Sequence, residues 1–263
     1  MLKAINLGAD FAALCTLGAF GRVHSVFDRT INIHIKGKMP SPLITITTNT
    51  NDIMTAVVIV KGNKTPCHIN DSVILANDVI YINNTPFVYG LSNATVWQPL
   101  DIETLNLPKL TCKEVFHRCK KIEAFVTPTY SPEFGLLGFC VKEILGHGIG
   151  LTPSGDDFLA GVLFALHFKQ KVYNQQYAYL NKISKEIRQN MPRMTNEISR
   201  HFLSYAMQGS FGLNTQDFLV SFYSEDLEAV KAAVQKKLDC GATSGADELQ
   251  GILWGLENGS HLK

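Results

Sequence analysis

The sequence lacks the features that most directly assign a protein to a functional class. It contains no run of about eighteen apolar residues, so no segment predicts a membrane-spanning helix. It has no long run of like charges and its net charge is only +1, so nothing indicates electrostatic binding to nucleic acid or to an anionic membrane. It also has no GxSxG segment, so nucleophilic catalysis of that kind is not indicated.

The cysteines provide no framework either. Six are present, but they form no CxxC pair, and their spacing matches neither a zinc site nor a compact set of disulfides. We therefore expect reduced, mostly buried thiols in a cytoplasmic protein. The opening segment, Met1 to Phe20, is apolar enough to raise the question of a signal peptide. Asp10 lies where such a peptide would need its apolar region, which argues against export.

The residue pattern changes from strand-like to helical near residue 105, which predicts an α+β protein with two parts. Residues 1–105 are rich in β-branched runs that are separated by turn residues, with no helical pattern between them. This texture predicts an antiparallel β-sheet or a small barrel. The predicted strands are Ile31–Ile35, Leu43–Thr47, Ala56–Val60, Asp71–Leu75, Val79–Ile82 and Thr95–Trp97.

Residues 106–263 show helical spacing of apolar side chains and predict a mainly α-helical part. In the segment that follows Pro153, for example, apolar residues recur at intervals that place them on one helix face. The predicted helices are Lys113–Phe125, Glu133–Leu145, Ser154–Lys169, Gln175–Asn190, Thr195–Gln208, Ser224–Leu238 and Ser244–Leu256.

A short internal repeat is the strongest signal in this second part. The pattern S-G-x-D-x-L-x-G-[VI]-L begins at Ser154 and again at Ser244, ninety positions later. In each copy the serine and the aspartate three residues on have the spacing of a capping box, so both are predicted to stabilise a helix start. Gly161 and Gly251 are then predicted to lie where two helices cross closely. This structural interpretation explains most of the repeat without a ligand.

The first copy has features that a helix cap does not need. Three glycines precede it in the segment 146–150, and Asp156 has Ala246 as its counterpart in the second copy. A glycine-rich backbone ahead of a helix start directs several N–H groups at one point, which suits a phosphate or carboxylate group. The additional acid would hold a divalent metal, orient an amino group or accept a proton.

A third segment provides hydroxyl groups at helical spacing. Thr195 is predicted to cap a helix, and Ser199 follows one turn later on the same face. Arg193 and Arg200 are candidate partners for an anion, because a guanidinium binds carboxylate or phosphate groups bidentately. His147, inside the glycine segment, has an open role as an acid, a base or a ligand.

These segments resemble the signature of a known protein family. Gly148 to Gly161 is similar to the pattern G-x-G-L-T-P-S-x-D-D-x-L-x-G of the family typified by AllH, a subunit of bacterial oxamate carbamoyltransferase. Thr195–Gly209 and Gly241–Asp247 resemble two further blocks of this family, in the same order. The resemblance implies carbamoyl transfer between phosphate and oxamate, with partner subunits, in anaerobic purine or allantoin nitrogen catabolism.

Under this hypothesis Asp156 and Asp157 are the catalytic pair. They would orient the carbamoyl NH2 group or hold a Mg²⁺ ion that bridges the phosphate oxygens. The helix start at residues 244–247 would close the same pocket from its other side. The residues predicted to bind the small anionic substrate are Gly148, Gly150, Thr152, Ser154, Gly155, Thr195, Ser199, Thr243, Ser244, Gly245 and Asp247.

Two other hypotheses remain open at this point. The chain could be a non-catalytic assembly subunit whose motifs are helix caps and helix crossings. It could also be a stand-alone metal-dependent hydrolase that uses Asp156 and Asp157.

Overall fold

A computed structural model describes residues 1–36, 42–63, 65–76, 78–127, 140–224 and 226–258 of the chain. Its contacts divide the chain into two compact units, Met1–Pro99 and Leu100–Lys263. The first unit contains the strands and the second contains all but one of the described α-helices.

The strands of the first unit form one sheet that closes on itself. They are β1 (Leu2–Gly8), β2 (Ala19–Val26), β3 (Thr30–Ile35), β4 (Leu43–Thr47), β5 (Val57–Gly62), β6 (Ser72–Ala76), β7 (Val79–Ile82), β8 (Thr85–Tyr89) and β9 (Thr95–Trp97). The order is β5-β4-β3-β2-β6-β7-β8-β1-β9, and a further pairing between β5 and β1 closes an eight-stranded barrel. The predicted small barrel is therefore confirmed.

The barrel is mixed, although antiparallel pairings predominate. Strand β4 pairs with β5 in parallel, and β1 pairs in parallel with both β8 and β9. The pairings of β1 with β8 and β9, and the antiparallel pairing of β1 with β5 that closes the barrel, join strands that are distant in the sequence. Local turn signals report hairpins between neighbouring strands, so such long-range pairings leave no comparable pattern in the sequence.

The apolar opening segment belongs to this unit. It forms β1 and a short helix, α1 (Ala9–Leu17), which the sequence pattern did not predict. Phe11 is fully buried, and its amide donates to the carbonyl oxygen of Thr55 at 3.0 Å. A side chain on Gly8 would place its Cβ 1.9 Å from the carbonyl oxygen of Met54, so only glycine allows this approach of β1 to the loop before β5.

The second unit is helical, as predicted. Its helices are α2 (Cys112–Glu123), α3 (Val141–Ile144), α4 (Ser154–Tyr173), α5 (Ala178–Met194), α6 (Glu197–Ala206), α7 (Leu213–Tyr223), α8 (Leu227–Leu238) and α9 (Ser244–Asn258). Of the predicted helix Glu133–Leu145, residues 133–139 lie outside the described residues. No described helix has both the length and the apolar character that crossing a membrane requires.

Helix α4 lies at the centre of this unit. Its residues from Phe158 to Leu166 are all buried, which is typical of a helix that is enclosed on every side. It packs most extensively along α9, the helix that carries the second copy of the repeat. Gly161 and Gly251 lie in this crossing, so the predicted close approach of the two helices is confirmed.

Candidate functional site

The two copies of the repeat bring their helix starts together. The hydroxyl of Thr152, just before α4, lies 2.9 Å from the hydroxyl of Ser244, the first residue of α9. The same Thr152 hydroxyl donates to Oδ2 of Asp157 at 2.9 Å. Either hydroxyl can be the donor between Thr152 and Ser244. A continuous chain of polar groups therefore connects the first turn of α4 to that of α9.

The capping box predicted for the first copy is wrong. The residue before α4 is Pro153, and no side chain caps the helix start. Ser154 lies inside the first turn, where its hydroxyl donates to the carbonyl oxygen of Ile149 at 3.2 Å. Asp157 accepts from Thr152 instead of reaching back to the start of the helix. Proline fixes the entry of the chain into the helix, so the serine is displaced into the first turn.

Carbonyl groups of the preceding loop occupy the first amides of α4. The amide of Ser154 donates to Ile149 at 3.2 Å, and the amide of Gly155 donates to His147 at 2.8 Å. These two amides, which the sequence predicted to bind an anion, are therefore already satisfied. By contrast, no described residue accepts from the amides of Gly148 and Gly150, which lie in the exposed part of the loop.

Asp156 is buried beside the loop and receives hydrogen bonds from two directions. Its Oδ1 accepts from the amide of Gly146 at 2.7 Å, and its Oδ2 accepts from the hydroxyl of Thr195. Burial raises the pKa of this carboxyl, and the hydrogen bonds from Thr195 and Gly146, with Ser199 and His147 nearby, oppose the rise. The sequence-predicted residues Thr195 and Ser199 are thus brought to Asp156.

The capping role predicted for Thr195 belongs to its neighbour. Asn196 precedes α6, and its Oδ1 accepts from the amide of Ser199 at 3.0 Å. Its side-chain amide also donates to the carbonyl oxygen of Leu151 at 2.8 Å, which holds the glycine loop against the start of α6. Because Asn196 performs the capping, the hydroxyl of Thr195 is available to Asp156.

Asp157 lies on the other side of α4, towards α9. Burial is the main cause that raises its pKa to about 8, and the charges of Glu248 and Asp247 add to the rise. Hydrogen bonds from Thr152 and Ser244 lower it in part. The pKa of Asp157 therefore lies close to neutral pH, which is the property expected of a general acid or base in a protected site.

The second helix start repeats the backbone arrangement of the first. The amide of Gly245 donates to Cys240 at 3.0 Å, as that of Gly155 does to His147. A Cβ on Gly245 would lie 1.9 Å from the carbonyl oxygen of Lys237, and one on Gly155 would lie 2.0 Å from the corresponding oxygen of Ile144. The repeat is therefore one helix-turn-helix geometry that occurs twice.

The remaining predicted residues of the second start lie beside the first loop. Asp247 is fully buried, and the Thr243 hydroxyl would lie 3.7 Å from a Cβ placed on Gly150. The glycine loop and the start of α9 are thus neighbours, as the sequence hypothesis required.

Sequence reasoning missed one charged group at this site. The Nζ of Lys237, at the end of α8, lies 2.5 Å from Oε1 of Glu248, and both side chains are largely buried. The hydroxyl of Thr215, on α7, donates to the same carboxylate at 2.8 Å and accepts from Lys237 at 2.8 Å. A lysine in the last turn of a helix is common, so no sequence signal distinguishes Lys237 from its exposed neighbours.

The other candidate charges lie at the edge of the site. Arg193 is exposed, and Arg200 donates to the carbonyl oxygen of Pro192 at 3.3 Å. His147 is exposed, with its Nδ1 3.2 Å from the carbonyl oxygen of Leu145. Within the described ranges, no three His, Cys, Asp or Glu side chains are grouped to hold a metal ion.

Comparison with known proteins agrees with the two-part organisation. A model of the AllH family N-terminal domain matches residues 3–96, which span the barrel. A model described as oxamate carbamoyltransferase subunit AllH matches residues 144–256, which include both helix starts. No solved structure matches the chain. The two matches cover most of the sequence and lie in the same order as the two units, and the chain belongs to the AllH family of oxamate carbamoyltransferase subunits.

Proposed function

We propose that this chain is a subunit of a carbamoyltransferase complex and that the two helix starts form part of its substrate site. One observation carries the proposal. Three segments that are far apart in the sequence, around residues 148–157, 195–199 and 244–248, converge on the adjacent carboxylates of Asp156 and Asp157. Polar groups from three segments around two protonatable acids exceed what helix capping requires.

The reaction that fits this arrangement joins a carbamoyl group to an amide nitrogen. The nitrogen of oxamate attacks the carbamoyl carbon, the bond from that carbon to the phosphate oxygen breaks, and phosphate leaves. The nitrogen must also lose a proton. Such a transfer depends mainly on positioning the two substrates and on stabilising the charge that develops on oxygen.

The residues of the site can divide these tasks. The amides of Gly148 and Gly150 would bind the phosphate or carboxylate group. Asp156, fixed by Gly146 and Thr195, would orient the carbamoyl NH2 group. Asp157, with its pKa near 8, would take the proton from the attacking nitrogen once it is ionised.

Only one of the two carboxylates of the site is suited to hold a Mg²⁺ ion. This ion often uses one or two protein carboxylates together with substrate phosphate oxygens, and it would neutralise charge on the phosphate. Both oxygens of Asp156 already accept hydrogen bonds, so the half-buried Asp157 is the carboxylate that would hold the ion.

A specific observation also favours the assembly role. The first amides of both helices are bonded within the chain, and the glycines of the crossing are explained by packing alone. In that case the partner subunits would perform the chemistry, and this chain would hold them together. Under either role we propose that the complex acts on oxamate in purine or allantoin nitrogen breakdown.

The test uses Asp156→Asn in the complex of this chain with its partner subunits. We expect carbamoyl transfer from carbamoyl phosphate to oxamate to fall by about 100-fold or more, because general acid-base and positioning groups contribute such factors. Assembly and melting temperature should change little, because asparagine keeps the size of the side chain. Phosphate release measures carbamoyl transfer, gel filtration measures assembly, and thermal unfolding measures the melting temperature.

The matched control is Asp226→Asn, an exposed carboxylate that caps α8, where asparagine caps equally well. It should leave transfer unchanged. Full activity of Asp156→Asn would contradict the catalytic proposal. Lost assembly with normal activity per assembled complex would identify the chain as a scaffold.

A further inference from the structure

A cavity of about 340 Å³ lies entirely within the barrel unit. Its lining includes four basic side chains, Arg22, His24, His34 and Lys36, and none of the described residues that line it is acidic. The proposed function uses none of these side chains. No described acidic side chain in the lining therefore balances the positive charges of Arg22 and Lys36.

The fold of β2 and β3 gathers these side chains. Arg22 and His34 are directly opposite each other in the antiparallel register of the two strands. The register then shifts between Val23 and Ser25, so His24 lies at a β-bulge, where a side chain is redirected. Lys36 follows the end of β3. The register therefore brings Arg22 and His34 together at one side of the cavity.

Ile69 and Asn70 form the second wall of the cavity, and this segment is hydrogen-bonded to β2. The amide of Asn70 donates to Val23 at 2.8 Å, and the amide of Val23 donates to Asp71 at 2.9 Å. Asn70 has a φ of 73°, the left-handed conformation that asparagine tolerates. The wall therefore keeps its position without a ligand.

The guanidinium of Arg22 is held in place but not used up. One N–H donates to the carbonyl oxygen of Asn70 at 2.9 Å. A guanidinium has five N–H groups, and within the described parts of the chain no second acceptor binds this one. The carboxylate of Asp71, in the same turn, accepts from the amide of His68 at 2.7 Å. An anion in the cavity would therefore meet an oriented guanidinium with free donors.

We propose that this cavity is a binding site for a small anion that carries a phosphate group. The guanidinium of Arg22 matches two phosphate oxygens, and Lys36 supplies a second permanent positive charge. His24 and His34 line the same cavity. The volume is at the lower end of the range for small-molecule pockets, so it suits a compact ligand and not a polymer.

The experiment titrates the full chain with inorganic phosphate at constant ionic strength and follows binding by calorimetry. Histidine ring signals, observed by NMR, report where the ion binds. In the wild type we expect saturable binding that shifts the signals of His24 and His34. Arg22→Gln and Lys36→Gln should each weaken binding about tenfold or more, since a hydrogen bond to a charged group contributes about that factor.

Lys61→Gln is the matched control, because Lys61 is an exposed lysine on β5 outside the cavity. It should bind phosphate as the wild type does, and melting curves confirm that each variant is folded. Adenosine monophosphate and oxalate complete the set of probes. Tighter binding of the monophosphate would identify a nucleoside phosphate as the ligand, and equal binding would identify phosphate itself.

Several results would overturn the assignment. Absence of saturable binding, or equal loss of binding in Lys61→Gln, would mean that the cavity is not a site. A shift confined to His147 would locate the phosphate at the glycine loop of the second unit. Tighter binding of oxalate than of phosphate would replace phosphate with a carboxylate ligand. None of these outcomes depends on whether the chain takes part in carbamoyl transfer.

Discussion

Gly161 and Gly251 occupy reciprocal positions in the crossing of α4 and α9. A Cβ on Gly161 would lie 2.1 Å from the carbonyl oxygen of Glu248, and one on Gly251 would lie 2.0 Å from that of Phe158. Phe158 and Glu248 are themselves ninety positions apart, the offset of the repeat. Each copy therefore contacts the other at the equivalent point, as the two halves of a symmetric dimer do.

The crossing predicts a graded loss of stability. Gly161→Ala and Gly251→Ala should each lower the free energy of unfolding by about 3 kcal/mol or more, because overpacking against backbone cannot relax by a rotamer change. Gly255→Ala should cost less, since its Cβ would first meet the Cβ of Ala165 at 2.8 Å. Urea unfolding of the three variants measures the loss of unfolding free energy in each and therefore their order. Equal losses in all three would contradict the reciprocal contact.

Asp157 predicts a pH dependence of stability. Its pKa is raised from 3.8 to about 8, so the folded chain binds this proton more tightly than the unfolded chain. The stability that this proton contributes is complete below about pH 4 and is lost as the pH rises through 8. Asp157→Asn removes the titration. Between pH 5 and 9 the wild type should lose roughly 3 °C or more of melting temperature relative to the variant.

Asp239→Asn is the control for that comparison, because Asp239 is an exposed aspartate between α8 and α9. Its melting temperature should follow that of the wild type at every pH. If Asp157→Asn also follows the wild type, Asp157 is ionised in the folded chain and cannot hold a proton for catalysis.

The buried pair of Lys237 and Glu248 predicts a large cost for removing one partner. Lys237→Met leaves a buried carboxylate without its cation, which costs about 3–5 kcal/mol of unfolding free energy. The double variant Lys237→Met, Glu248→Gln should recover much of this loss, because no uncompensated charge remains.

Lys236→Met is the matched control for that experiment. The Nζ of Lys236 lies 3.4 Å from Asp217 at the surface, where such pairs contribute about 0–1 kcal/mol. Comparable losses at the two lysines would show that the pair at Lys237 is no more important than a surface contact.

Elements with a regular apolar or β-branched pattern could be predicted from the sequence, and a helix with polar residues on its buried side could not. The β-branched runs Leu43–Thr47 and Val79–Ile82 are strands with the predicted bounds. Helix α7 was missed because its first residues, Asn214, Thr215 and Gln216, are polar and yet buried. Polar residues at buried positions interrupt the apolar spacing by which a helix is recognised in a sequence.

The site divides in the same way. The repeat predicted that the starts of α4 and α9 belong together, and their contact through Thr152 and Ser244 confirms it. The partners of each side chain could not be predicted, because they depend on tertiary contacts. Thr195, for example, reaches Asp156 across thirty-nine positions, and a different residue caps its helix.

The bonds between the glycine loop and the first amides of α4 have a consequence for the energetics of binding. A loop that is already held by its own helix loses little conformational entropy when a substrate arrives. At the proposed anion site, more of the interaction energy of Gly148 and Gly150 would then remain as affinity. The hydrogen bond from Gly155 to His147, which occupies one amide of that proposed site, would therefore also hold the other amides ready to bind.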